Sequence, residues 1–217
     1  MAHLNALDIY FGTYVRFQTK DKKEGAALTG PDNAVGDIGS ITWHIDDKQR
    51  QQAWLKNPYD LEIGYLDAET SYTLSVYRAK NWTIRYVLSF VAYSDKPSPG
   101  MYWGEVALIA YDPHYTHQFE HFLQAFAQQA GEGLRPDPHL GSQAIESLVK
   151  DPSSWKPTTK VKIPQKNGTS ILKEYRTAHD KLLDQARQKN PGCYIISWIC
   201  IAAGGALLVW AIYSLGF

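Results

Sequence analysis

The chain of 217 residues carries 22 Lys and Arg side chains against 22 Asp and Glu, so its formal net charge is zero. Residues 1–150 hold 13 cations and 18 acids, a net charge of −5, whereas residues 151–192 hold 9 cations and 4 acids, a net charge of +5. The acidic balance of residues 1–150 argues against nucleic acid as a partner. Both cysteines, Cys193 and Cys200, lie near the C-terminus, which excludes a disulfide framework or a cysteine metal site before them.

Alternation of apolar and polar residues predicts several strands in residues 1–150. In residues 7–17, LDIYFGTYVRF, the side chains of Ile9, Phe11, Val15 and others share one face, which is typical of a half-buried strand. The polar, glycine-bearing residues 18–39 are expected to form a loop. The other predicted strands are 40–45, 60–66, 71–79, 82–93 and 102–111.

Three helices are predicted in the same part of the chain, over residues 47–56, 113–130 and 142–150. The second has the clearest start, because Asp112 supplies an N-cap carboxylate and Pro113 follows it. Its apolar residues form one stripe, which is expected to pack on a sheet: Tyr115, Phe119, Phe122, Leu123, Phe126 and Ala130. Residues 1–150 are therefore predicted to form an α+β domain, with an antiparallel sheet of five or six strands and helices packed on one face.

Residues 151–169 contain three prolines and lack helical periodicity, so they are predicted to form a linker. Residues 170–190 are predicted to form a basic amphipathic helix beside a membrane, with an apolar stripe that includes Ile171, Tyr175 and Leu182. Cations of this helix are expected to face anionic lipid, where each contributes about 1 kcal/mol close to the surface. These cations are Lys173, Arg176, Lys181, Arg187 and Lys189.

Residues 193–215 contain no charged side chain and predict a transmembrane helix. At about 1.5 Å rise per residue these 23 residues extend about 34 Å, enough for a hydrocarbon core of about 30 Å. The residues assigned to the span include Cys193, Trp198, Gly204, Gly205 and Trp210. Cations precede the span and none follows it, so we expect residues 1–190 to be cytoplasmic, beside the inner membrane in a bacterium. Since the segment comes last and no signal peptide precedes the head, we expect a tail-anchored, single-pass membrane protein.

One sequence motif suggests chemistry. Residues 117–121, HQFEH, match the H-x-x-E-H pattern of inverzincin metalloproteases, in which His117 and His121 would bind zinc and Glu120 would act as general base. His114 lies one helical turn earlier on the same side. The alternative is a solvated face of an amphipathic helix, because these histidines occupy the middle of its polar side.

Two functions from different classes follow. In the first, the head is a protein- or ligand-binding or sensing module at a membrane surface, as a membrane effector or a subunit of a complex; this reading needs no cofactor. In the second, the protein is a membrane-anchored, metal-dependent hydrolase that uses the motif at 117–121. The partners expected in the first case are the lipid bilayer and a protein, which includes a second copy of the span through the small residues Ala202 and Ala206.

Overall fold

A computed structural model describes residues 8–189, apart from residues 97, 158 and 165–167 and the side chains of residues 184–189. Contacts divide the chain into two units, Met1–Arg176 and Thr177–Phe217. The first unit combines a seven-stranded antiparallel sheet with helices, so the predicted α+β class is confirmed, while the sheet has seven strands and not the five or six predicted. The predicted span 193–215 lies outside the described residues.

The elements of the described chain are seven strands, five α-helices and two short 3₁₀ turns. The strands are β1 Tyr10–Gln18, β2 Ile38–Ile45, β3 Gln51–Lys56, β4 Glu62–Tyr65, β5 Thr83–Ser94, β6 Met101–Tyr111 and β7 Thr169–Lys173. The helices are α1 Lys22–Ala26, α2 Ala68–Ala79, α3 Thr116–Gly131, α4 Ser142–Lys150 and α5 Ala178–Lys189. The 3₁₀ turns are Ala27–Thr29 and Pro113–Tyr115.

Six strands of the sheet close into a ring. The strand order is β2-β3-β4-β1-β6-β5-β7, and β2 also pairs with β5 through residues 38–40 opposite residues 85–87. The ring is weakest between β1 and β4, where Gln18 opposite Tyr65 is the paired position. β7 pairs with the later part of β5, residues 91–94, and so lies beside β2 along the same edge of β5.

Apolar side chains are buried on both faces of this ring, so helices pack on both faces and not on one as predicted. An interior core takes residues such as Phe17, Leu55 and Leu108 from the strands and Leu74 from α2. An outer core joins α3 and α4 to the other face of β1, β5 and β6. Within it Phe119 stacks on the ring of Tyr10, with ring centroids 5.1 Å apart. The apolar stripe predicted for α3 is therefore confirmed as its buried face.

The helix predicted over residues 47–56 is wrong, since the structure has a tight turn followed by β3. Gln49 adopts a positive φ of 60° in this turn, and Asp46 N donates to Arg50 O at 2.8 Å. β3 then pairs with β2 and β4, and its alternate residues Ala53 and Leu55 are buried in the interior core. Pairing on both edges outweighs the local helical preference of this polar sequence.

The strand predicted over residues 71–79 is also wrong, because these residues lie in α2. Asp67 caps the helix by accepting a hydrogen bond from Thr70 N at 2.8 Å. Ser71 and Leu74, three positions apart, are its buried residues. Tyr72, which shares a strand face with Leu74 in the alternating pattern, is instead exposed.

The residues predicted as a linker and a single basic helix have a different structure. Residues 169–173 form β7, and α5 begins at Ala178. Before β7, Trp155 packs on α3, with its ring 5.0 Å from Phe122 and 6.0 Å from Phe126. The segment between α3 and β7 is therefore attached to the outer core, and the first unit extends to Arg176.

Two tyrosines of β1 hold the loop after α3 against the sheet. The hydroxyl of Tyr10 donates to Pro138 O at 2.6 Å, and that of Tyr14 donates to Pro136 O at 2.7 Å. Gly12 lies between them, where a Cβ atom would approach Pro138 O to 2.1 Å. Glycine is therefore required at this crossing, because a larger residue would displace the loop.

A buried ion pair attaches the same loop to β6. Arg135 Nη2 contacts Glu105 Oε1, and the two side chains are 7% and 9% exposed. Arg135 Nη1 also donates to Lys162 O at 2.8 Å, and its guanidinium lies 3.9 Å from the ring centroid of Tyr14. The pair therefore joins β6, the loop and the segment that leads to β7.

We predict that Arg135→Leu lowers the free energy of unfolding by about 3–5 kcal/mol, because Glu105 would be left buried without its cation. Urea denaturation of the detergent-solubilised full chain, followed by tryptophan fluorescence, measures this. Arg85→Leu is the control, since the partly exposed pair of Arg85 with Glu120 contributes about 1 kcal/mol or less. Equal losses in the two variants would contradict the role assigned to the buried pair.

A second prediction concerns alkaline pH. Burial raises the pKa of Tyr14 to about 12 and that of Tyr10 well above its ordinary value. The unfolded chain then releases these protons at lower pH than the folded chain, so stability is present below about pH 10 and falls from there toward pH 12. In Tyr14→Phe, the free energy of unfolding measured by urea denaturation should decrease less steeply over the same pH range. Tyr72→Phe, which removes a solvent-exposed hydroxyl, is the control, and the same shallowing there would refute the assignment.

Candidate functional site

The histidines of the H-x-x-E-H region lie on the solvent side of α3 and of the turn before it. His114, His117 and His121 are exposed, whereas the opposite face of α3 is buried. Asp112 accepts a hydrogen bond from His114 N at 2.9 Å, and its Oδ1 lies 2.6 Å from His114 Nδ1. The backbone N–H of His114 is the main cause that lowers the pKa of Asp112.

Glu120 makes its contacts with the sheet. Tyr111 of β6 donates its hydroxyl to Glu120 Oε1 at 2.5 Å, and Arg85 Nε of β5 lies 3.8 Å from the same oxygen. Burial, followed by this hydrogen bond to a carboxylate, raises the pKa of Tyr111. Throughout the described part of the chain, no three His, Asp or Glu side chains are placed to hold a metal ion together.

The residues assigned to the membrane lie partly outside the described structure. This is the case for Cys193, Trp198, Gly204, Gly205 and Trp210. Among the described residues, no helix combines the length and apolar character that a bilayer crossing requires. Lys181 is exposed on α5, whereas the side chains of Arg187 and Lys189 are not described.

Two of the cations predicted to face lipid are bound to the head. Lys173 Nζ donates to Gly30 O at 2.6 Å and to Asn33 O at 3.0 Å. Arg176 Nη2 donates to Asp37 Oδ1 at 2.5 Å, and Arg176 N donates to Gly131 O at 2.8 Å. The segment 173–176 is therefore tied to the loop before β2 and to the end of α3.

An open groove of about 620 Å³ lies between the β2–β3 hairpin and α2. Hairpin residues such as Arg50, Gln51 and Gln52 line one side, and the outward face of α2 lines the other. Its position follows from the fold, because Ala53 N of β3 donates to Ser71 Oγ of α2 at 3.0 Å and so holds the helix beside the hairpin.

The hairpin side of the groove is held by one carboxylate. Asp46 Oδ1 accepts hydrogen bonds from Lys48 N at 2.9 Å and Arg50 N at 2.8 Å. Asp46 Oδ2 accepts from Arg50 Nε at 3.0 Å and Nη2 at 2.8 Å. The backbone and side-chain hydrogen bonds from Arg50 are the main causes that lower the pKa of Asp46. These bonds set the conformation of the turn and the position of the Arg50 guanidinium.

The helix side of the groove presents an aromatic side chain and a second cation. Tyr72 is 72% exposed, and Ala68 and Ala79 of α2 line the groove with it. Arg78 lies with its guanidinium carbon 5.1 Å from the ring centroid of Trp43. Among the described residues Arg78 forms no ion pair with a carboxylate. The groove thus has Tyr72 and two alanines of α2 as its apolar lining, with Arg78 on the helix side and the Asp46–Arg50 ion pair on the hairpin side.

The sequence did not predict this groove, because residues 71–79 have an alternating pattern that indicates a strand. A better signal lies just before them, where Asp67 precedes Glu69 in the first helical turn. A helix begun at Asp67 places Tyr72 and Val76 on one face and Leu74 on the other.

Comparison with protein-family models, curated proteins and solved structures finds no match to this chain.

We predict that the purified full chain holds no stoichiometric zinc, because Glu120 is engaged by Tyr111 and Arg85 and His117 and His121 are exposed on α3. Elemental analysis after dialysis against zinc, with a chelator-treated sample as reference, measures this. His139→Ala, outside the motif, is the control for His117→Ala and His121→Ala. One zinc per chain that disappears in these two variants and persists in the control would instead establish the metal site.

Proposed function

We propose that residues 193–215 anchor the chain in a membrane and that its head is a protein- or ligand-binding or sensing module at the cytoplasmic surface of that membrane. The observation that carries this proposal is the charge-free sequence of residues 193–215, which is long enough for a transmembrane helix. A helix satisfies its own backbone hydrogen bonds, and none of these side chains opposes insertion by its charge.

The binding role of the head is supported by the groove between the β2–β3 hairpin and α2. Its volume of about 620 Å³ lies within the range of about 300–1,000 Å³ that is usual for ligand sites. Tyr and Arg are the side chains that most often dominate binding energy at interfaces, and Tyr72, Arg50 and Arg78 are placed there. A head that recognises a partner on a membrane is consistent with an effector or with a subunit of a larger complex.

The proposed orientation depends on charge beside the span. Lys181, Arg187 and Lys189 lie just before residues 193–215. Positive residues remain preferentially on the cytoplasmic side. Since Lys173 and Arg176 are bound to the head, the cations that would contact anionic lipid are the three later ones.

We predict that the full chain stays in the membrane pellet after alkaline carbonate extraction. Replacing both Gly204 and Gly205 by arginine should release it, because each arginine at the centre of a span costs about 2.5–3.5 kcal/mol. Replacing the same glycines by leucine is the matched control and should keep the chain in the pellet.

The same preparation tests the orientation. Protease added to intact cells should leave the head uncleaved, and protease added to opened cells should digest it. Release of the unaltered chain by carbonate would contradict the membrane span, and digestion on intact cells would contradict the cytoplasmic head.

A further inference from the structure

We infer that the groove between the β2–β3 hairpin and α2 is a docking site for an acidic segment of a partner protein that also carries an aromatic side chain. This inference rests on the proposed function of the head as a binding module and names the chemistry of its partner. It follows from the apolar surface in the groove, the charges at its two sides and the rigidity of its walls.

The apolar part of the site lies on α2. Tyr72 lines the groove and is 72% exposed. Ala68 and Ala79 add small side chains to the wall, which leaves space beside the ring of Tyr72. An aromatic side chain of the partner would pack against this ring and contribute about 0.5–1.5 kcal/mol beyond its buried area.

The charge of the site selects an acidic partner. Asp46 already accepts four hydrogen bonds within the hairpin, so its carboxylate needs no cation from a partner. Arg78, on the opposite side, forms no ion pair with any described carboxylate and stacks near Trp43. Arg50 is already paired with Asp46, so Arg78 is the cation left for a partner. A partner carboxylate beside Arg78 would receive charge-assisted hydrogen bonds, which are stronger than neutral ones.

The walls of the groove are already ordered, which lowers the entropic cost of binding. The Asp46 network holds the hairpin, while Ala53 N donates to Ser71 Oγ at 3.0 Å and fixes α2 on β3. Gln52 Oε1 accepts from Trp54 Nε1 at 3.0 Å, so the Gln52 amide is oriented with its N–H groups left for a peptide carbonyl. Polar side chains next to an aromatic wall suit an extended peptide better than a lipid surface.

Fluorescence anisotropy with the detergent-solubilised full chain tests this inference. The probes are fluorescein-labelled copolymers of glutamate with tyrosine, of glutamate with alanine, and of lysine with tyrosine. We expect saturable binding of the glutamate–tyrosine copolymer, weaker binding of the glutamate–alanine copolymer and none of the lysine–tyrosine copolymer. Arg78→Gln and Tyr72→Ala should each weaken the first by about fivefold or more.

Arg85→Gln is the matched control, because it removes the same charge from the sheet beside α3, away from the groove. It should change binding by less than about twofold, and circular dichroism melting should confirm that all variants are folded. Equal losses in Arg78→Gln and Arg85→Gln would show non-specific attraction and overturn the inference.

A lipid partner is tested with anionic phosphatidylserine vesicles. For this test the full chain is transferred from detergent into nanodiscs of neutral lipid before the vesicles are added. Vesicle binding that Arg78→Gln abolishes, without binding of the glutamate–tyrosine copolymer, would assign the groove to lipid and overturn the inference. Carbonate extraction is independent of these measurements. A chain that stays in the membrane but ignores the copolymer would therefore refute the acidic partner and leave the proposed anchored head standing.

Discussion

Both edges of β5 are hydrogen-bonded along most of the strand, and the two sides of the head are organised around it. β6 pairs along one edge, while β2 and β7 divide the other. Between these two strands, Leu88 continues the ladder by accepting from Gly36 N at 2.8 Å and donating to Asp37 O at 3.0 Å. Closure through β2 encloses the interior core.

A register shift between Leu88 and Phe90 inserts one extra residue, Ser89. Because side chains alternate along a strand, this bulge moves Phe90 to the outer face, where it packs on Trp103.

The outer face explains why the chain after α3 is part of the head. Tyr10, Tyr14 and Glu105 face outward; the two tyrosine hydroxyls donate to the loop 135–138, and Glu105 forms an ion pair with Arg135. An unpaired polar group at such a buried position is costly, so the sheet and the loop stabilise each other. Further along, Arg176 binds the loop before β2 and the last turn of α3. The first unit thus ends at a residue that is attached to its core. The groove lies on the same sheet, between the β2–β3 hairpin and α2.

Much of the fold was predictable where local pattern and tertiary environment agree. The strands at 7–17, 82–93 and 102–111 and the helix at 113–130 were found because their apolar residues follow the period of the element that they form. Two errors came from short segments. Residues 51–56 have a helical composition but pair on both edges, and residues 71–79 alternate although their buried contacts have helical spacing. The candidate groove was missed as a direct result, because Tyr72 and Arg78 share a site with Arg50 when α2 is a helix.

The sequence by itself determined the α+β class, the amphipathic helix α3 and the charge-free segment 193–215, since each is written in the composition or periodicity of consecutive residues. The tertiary structure alone decided that the sheet closes, that β1 is buried on both faces and that Lys173 and Arg176 bind the head. It also decided that Glu120 contacts Tyr111 and Arg85. These features depend on groups that are far apart in the chain, and local periodicity contains no information on which distant strand, loop or carboxylate will satisfy them.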